Sequence, residues 1–132
     1  NRLTFTGDWA FMTKANPNDG ISSNYLRAYP YFDKGIAENT TGGAAVEFST
    51  SAPWVAMCYP IWTKGNSASV YIDGELTTQT VSSKGLYNNI ITFKWIEMPK
   101  DGKTHTLKIV ANTPVGEDNL LRIGSFIEEF YN

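Results

Sequence analysis

Apolar and polar side chains alternate at every second position through much of this chain, and a period of two predicts strands with one face buried. In Ala44–Ser49, Val46 and Phe48 alternate with polar neighbours, and Val70 and Ile72 do the same in Ala68–Ile72. In Thr104–Val110, Leu107 and Ile109 point one way while Thr106 and Lys108 point the other. Asn89–Glu97 repeats the pattern, with Ile91, Phe93 and Trp95 on one face and Ile90, Thr92 and Lys94 on the other. Trp54–Ile61 is an apolar strand set off by the break Ser51-Ala52-Pro53. Shorter segments complete the set: Arg2–Thr6, Trp9–Thr13, Asn24–Phe32 interrupted at Pro30, Glu75–Val81 and Leu120–Tyr131. Asp73-Gly74 marks a hairpin turn, Lys100–Lys103 a second turn, and Ala15–Ser23 and Asp33–Gly43 read as polar loops. No segment has a persuasive helical period. The expectation is an all-β chain, an antiparallel β-sandwich of the jelly-roll kind with about nine strands, as one module over residues 1–132.

Composition narrows the function classes. With 42% hydrophobic residues in 132, the chain can bury a core without staples. Its 11 basic and 13 acidic residues are spread along the chain and give a net charge of −2, so no basic stripe offers itself to nucleic acid. The longest apolar run, Pro53–Trp62, is too short to span a membrane. The first residue is Asn, which reads as a mature or excised module of a larger protein. The single cysteine, Cys58, sits inside an apolar strand and reads as a small buried hydrophobe.

What stands out chemically is the aromatic content, 14% of the chain. Sugars present apolar C–H faces on which an exposed ring stacks, while neighbouring amides and charged groups bond the hydroxyls. Tyr25, Arg27, Tyr29 and Tyr31 alternate and can share one face. Trp62 stands at an expected strand end beside the polar turn that holds Lys64 and Asn66, and Trp9 follows Asp8 in a predicted turn. Each set also has a plainer reading as core or as ordinary turn. Trp54 and Trp95, inside apolar alternation, are expected in the core.

Catalytic chemistry finds less support. His105 is the sole imidazole and reads as an isolated surface histidine beside a turn, so no Ser-His-Asp set can be built. Gly-x-Ser-x-Gly, His-Glu-x-x-His and phosphate-binding glycine loops are absent. Glu75, Glu97, Glu128 and Glu129 lie on strand-like segments, and a glycosidase would need two of them facing across a cleft. No cofactor is expected. Structural calcium is a possible exception, because Asn16–Gly20 and Glu117–Asn119 are rich in oxygen donors, although turn chemistry explains both. Asn39-Thr40-Thr41 fits a glycosylation sequon.

Three segments carry a family likeness: Gly43–Phe48, Ala68–Gly74 and Asp101–Val110. Together they resemble the galactose-binding-like jelly-roll domains, among them non-catalytic carbohydrate-binding modules and the N-terminal domains of SGNH-type carbohydrate esterases. Similar domains occur in phage tail and receptor-binding proteins. The likeness covers roughly residues 43–131, and its motifs are structural. It implies carbohydrate recognition, with a polysaccharide or glycan as partner, and no more; tethering to a catalytic or other domain and a secreted or bacterial cell-surface location are expectations beside it. The alternative is a structural or protein-interaction jelly roll.

Overall fold

Eleven strands form among the residues described by the computed structural model, which are 2–7, 9–12, 36–39, 44–61, 63, 65–87, 90–112 and 121–130. In chain order they are β1 (Thr4–Thr6), β2 (Trp9–Met12), β3 (Ile36–Asn39), β4 (Ala45–Thr50), β5 (Trp54–Ile61) and β6 (Ser67–Ile72). The remainder are β7 (Glu75–Ser82), β8 (Ile90–Glu97), β9 (His105–Ala111), β10 (Arg122–Ile123) and β11 (Ser125–Glu129). One layer is a five-stranded sheet in the order β1-β4-β9-β6-β7. Facing it are two three-stranded sheets, β10-β3-β2 and β11-β5-β8, and every pairing is antiparallel. Consecutive strands β10 and β11 join these two sheets, and Gly124 between them donates its N–H to the Cys58 carbonyl at 2.9 Å.

The core follows the period-two pattern. Val46 and Phe48 of β4, Val70 of β6, and Leu107 and Ile109 of β9 pack against Val55, Met57 and Tyr59 of β5 and Ile96 of β8. Phe48 and Phe126 meet across the layers with ring centroids 5.1 Å apart. Cys58 is fully buried, as expected, and desolvation pushes its thiol up, away from the reactive range.

Four sequence expectations are corrected. β3 forms inside the segment read as the loop Asp33–Gly43, because it pairs with β2 on one side and β10 on the other. Tertiary pairing there supplies what four residues of weak alternation do not. The terminal strand Leu120–Tyr131 breaks at Gly124, so that Arg122–Ile123 pair with β3 and Ser125–Glu129 pair with β5. Trp95 is 45% exposed and lies outside the core. Val55 pairs with Ile96 and Ala56 with Trp95, so burying Ile96 turns the indole to the outer face, and Trp54 shares that outer phase and is half-buried. His105 is the fourth, and its partners are given below. The strand expected over Asn24–Phe32 lies outside the described residues.

Side-chain clamps close the sandwich where strand pairing ends. The Gln79 amide on β7 mimics a strand partner for β8: its Nε2 donates to the Glu97 carbonyl at 2.9 Å, and its Oε1 accepts from the Glu97 N–H at 2.8 Å. Arg2 joins the layers by a bidentate bond to Glu128, a 2.7 Å bond to the Ser49 carbonyl, and a position over the Phe48 ring. Thr50 also donates to Glu128, and Arg2 followed by Thr50 holds that carboxyl below its usual range. The Asp73-Gly74 turn has both residues at positive φ, as a tight two-residue hairpin requires, and Asp73 accepts the Thr106 N–H at 2.9 Å.

Far from isolated, His105 is clamped between two turns. Its Nδ1 lies 2.6 Å from Asp73 Oδ2 and its Nε2 lies 2.9 Å from Asp101 Oδ1. The reason is position: the first residue of β9 falls between the β6–β7 and β8–β9 turns, each of which carries an acid. Asp73 and then Asp101 raise the imidazole above its ordinary 6.5, and His105 lowers both acids from 3.8. The imidazolium contribution is therefore complete below about 6.5 and is lost as pH rises through the higher folded value. The carboxylate contribution is complete above about 3.8 and is lost as pH falls through the lower folded values. Thermal melts of the native protein and His105→Gln should differ most between about pH 4 and 6.5 and converge at alkaline pH; a constant difference would contradict the clamp. In urea denaturation, Ile96→Ala should cost about 2–5 kcal/mol for the cavity it leaves, and Trp95→Ala clearly less.

Candidate functional site

Strand register gathers a specific set of connections at one end of the sandwich. Ile61, the last residue of β5, pairs with Ile90, the first of β8. Ser67 at the start of β6 pairs with Ser82 at the end of β7, and Ala68 pairs with Ala111 at the end of β9. Thr6 pairs with Ala45, and Trp9 at the start of β2 pairs with Asn39 at the end of β3. Thr63, Gly65 and Asn66, the loop at 83–87, Asn112, Gly7 and the start of β2 consequently share this end.

Two of these connections are fastened to each other. The Asn66 N–H donates to Ser83 Oγ at 3.1 Å, and the Ser83 N–H donates to the Asn66 carbonyl at 2.9 Å. Ser83 is fully buried. The Asn66 side chain donates through Nδ2 to the Asn112 carbonyl at 2.7 Å and accepts the Ser67 N–H at 2.8 Å. Asn112 donates in turn to Ser67 Oγ. Gly65 lies so close to the other loop that a Cβ there would stand 2.1 Å from the Ser83 carbonyl oxygen. Gly85 packs on Ile61, where a Cβ would meet the Ile61 side chain at 2.7 Å. From this braced base the β7–β8 loop projects Leu86 and Tyr87, 88% and 69% exposed. An exposed aromatic ring close in sequence to a hydrogen-bonded loop pair suits a planar apolar ligand face.

Of the site residues expected from sequence, Trp9 starts β2 at this end. Asn66 is also here, but it is buried and its amide is engaged in bracing the loops rather than turned to solvent. Asp8, Tyr25, Arg27, Tyr29, Tyr31, Trp62 and Lys64 lie outside the described residues. Tyr87 is not among the residues expected from sequence, although a tyrosine between Gly85-Leu86 and Asn88-Asn89 is an aromatic beside amides, the signal used for Trp62. Among the described residues, no cluster of three His, Cys, Asp or Glu side chains can hold a metal ion. Both oxygen-rich loops considered for calcium lie outside the described residues. Among the acids, Glu128 is taken up by Arg2 and Thr50, and Glu97 sits 3.7 Å from the Lys100 ammonium.

No protein-family model matches the chain, and no curated protein matches it. Solved structures do share its fold. A two-domain esterase active on acetylated mannans, co-crystallized with mannopentaose, superposes with a TM-score of 0.64 at 12% identity, covering 100% of this chain and 35% of that one. A family 35 carbohydrate binding module from an environmental isolate gives 0.58 at 17% identity, covering 96% of this chain and 84% of that one. CBM35 from Paenibacillus barcinonensis gives 0.57 at 14% identity, covering 97% and 92%. The likeness establishes the β-sandwich common to carbohydrate-binding modules and to a domain of carbohydrate esterases. The chain spans about a third of the esterase's length.

The bracing makes Gly65 a sensitive position. Gly65→Ala should destabilise the fold by about 1–3 kcal/mol in urea denaturation, since the clashing atoms are backbone and cannot rotate away. Unchanged stability would show that the two loops are not held together as described.

Proposed function

We propose that this domain is a non-catalytic carbohydrate-binding module whose ligand, a polysaccharide, is bound at the braced loop end. The observation that carries the reading is the exposed Tyr87 beside the hydrogen bonds that join Asn66 to Ser83, at the end where β2 starts with Trp9. Its sandwich is one that carbohydrate-binding modules also use.

In this reading Tyr87, Trp62 and Trp9 stack on the C–H faces of sugar rings, joined by Tyr25, Tyr29 and Tyr31. Asp8, Arg27 and Lys64 bond the hydroxyls, and Asn66 acts by positioning the loops. Desolvating hydroxyls offsets most of the stacking gain, so a single site binds weakly. Tethering to an enzyme or an array raises the effective concentration and fits a secreted or cell-surface protein. Catalysis is left to the attached domain.

The test is binding to an array of plant, microbial and host polysaccharides, repeated with Trp62→Ala, Tyr29→Ala and Tyr87→Ala. Retention of at least one polysaccharide is expected, with affinity reduced roughly tenfold by loss of a stacking ring, equivalent to about 1.4 kcal/mol. Circular dichroism should remain native. Absence of binding across the array would overturn the reading in favour of a protein-interaction domain.

A further inference from the structure

The outer face of the five-stranded sheet carries a polar depression that the loop end does not explain. Arg2, Thr4, Glu47, Phe48, Ser49 and Thr106 line it, and it encloses about 370 Å³. That volume lies within the roughly 300–1,000 Å³ of small-molecule sites. Register builds it. Thr4 pairs with Glu47, and Ser49, two residues on, pairs with Thr106, so β1, β4 and β9 each contribute to one face. Val46 and Phe48 are held in the core, which sends Glu47 and Ser49 outward. Phe48 is buried and supplies only part of the floor. Every other lining side chain is polar or charged.

The hydrogen-bonding capacity left at these groups selects the ligand. Arg2 donates to both oxygens of Glu128 and to the Ser49 carbonyl, and a guanidinium with five N–H groups keeps two in reserve. The Ser49 and Thr106 hydroxyls lie 3.3 Å apart, and either can donate to the other, so both keep accepting capacity. Glu47 has no hydrogen bond or ion pair with any described residue, and its carboxylate only accepts. Lys108, its cross-strand neighbour on β9, offsets its charge across the sheet.

We propose, resting on the carbohydrate reading above, that this depression is a second glycan subsite holding an uncharged sugar by its hydroxyls. A hydroxyl both donates and accepts. One ligand can therefore satisfy the acceptor Glu47, the donor Arg2 and the two-way hydroxyls of Thr4, Ser49 and Thr106. Adjacent hydroxyls on a sugar ring match the two oxygens of a free carboxylate. An acidic sugar would meet the Glu47 and Glu128 carboxylates, and a cationic one would meet Arg2. A protein partner fits less well, because interface cores favour aromatic and apolar contacts and are depleted of Glu, Lys and Ser.

The same register extends the subsite across the sheet. Glu47 pairs with Lys108, and Lys108 pairs with Tyr71 on β6. Val70 is fully buried, so Tyr71 faces outward, where it is half-buried. Two interstrand steps of about 4.8 Å separate the Glu47 and Tyr71 strands by about 10 Å. A sugar chain lying across the strands can fill the depression with one unit and lay a later ring on Tyr71.

The experiment uses the intact domain and an oligosaccharide released from whichever neutral polysaccharide the array retains. Calorimetry gives the stoichiometry, and amide chemical shifts map the sites. Two ligands per domain are expected, with shifts at residues 4, 47–49 and 106–108 that Glu47→Ala removes while those at residues 83–87 persist. Tyr87→Ala should give the reverse. Affinity at the sheet face should fall roughly tenfold in Glu47→Ala and less in Glu47→Gln, as for hydrogen bonds to a charged acceptor. Tyr71→Phe should bind as the native domain does, and Tyr71→Ala should weaken longer oligosaccharides more than short ones. Since Glu47 bonds no described residue, its variants should keep a native circular dichroism spectrum. One ligand per domain, with binding unchanged by Glu47→Ala, would overturn the subsite and leave the carbohydrate function standing. Absence of binding to any polysaccharide would remove both. Retention of acidic polysaccharides alone, with shifts at residues 47–49 and 106–108, would overturn the assignment to uncharged sugars.

Discussion

Val55, Met57 and Tyr59 all have to face the same core, and this single requirement on β5 sets the phase of its whole sheet. Antiparallel register transfers it to Ile96 on β8 and Phe126 on β11, and the alternate positions are then forced outward. Trp54, Trp95 and Glu129 share a face for that reason, and a slip of one residue would bury Glu129 and expose Phe126. The groove lined by Trp54, Trp95 and Glu129 is thus a geometric consequence of core packing on the opposite side of the same three strands.

The two ends of the sandwich are held by different chemistry. At the end containing His105, charged clamps span the Asp73 and Asp101 turns and answer to pH. At the loop end the fastening is neutral: backbone groups, Ser83, Asn66 and Asn112 exchange hydrogen bonds, and Gly65 allows the loops to touch. Uncharged, buried bonds are insensitive to salt and to mild acidity, so the seat beneath Tyr87 stays in shape across conditions that loosen the opposite end. Under the proposed function, loops already joined in this way would lose little entropy to ordering on binding a sugar.

Fold class was legible because period two is a local property. Val46 and Phe48, Val70 and Ile72, and Leu107 and Ile109 all point as alternation says, and Asp73-Gly74 turns as its dipeptide says. Legibility failed where a neighbour decided the outcome. β3 is four residues long and exists through its partners, and Gly124 divides the last strand because the chain passes there from one sheet to another. Trp95 was misplaced because both phases of β8 are apolar, with Ile91, Phe93 and Trp95 on one and Ile90 and Ile96 on the other; only the pairing of Val55 with Ile96 decides between them. His105 looked solitary since its partners are 32 and 4 residues away. For the site, most of the residues expected from sequence lie outside the described part of the chain; of the two that are described, Trp9 starts β2 and Asn66 is buried with its amide engaged between loops, a role that depends on partners distant in sequence.

The claim on which everything functional depends is that the braced loop end, and not the clamped end, receives a sugar chain. Saturation-transfer difference NMR on a retained oligosaccharide, with a nitroxide label attached to a cysteine introduced at Thr63 in a Cys58→Ala background, tests it most directly. Strong saturation of ring C–H protons together with paramagnetic broadening of the bound sugar would be the expected result. Saturation without broadening from Thr63, but with broadening from a label at Asp101, would place the ligand at the opposite end and contradict it.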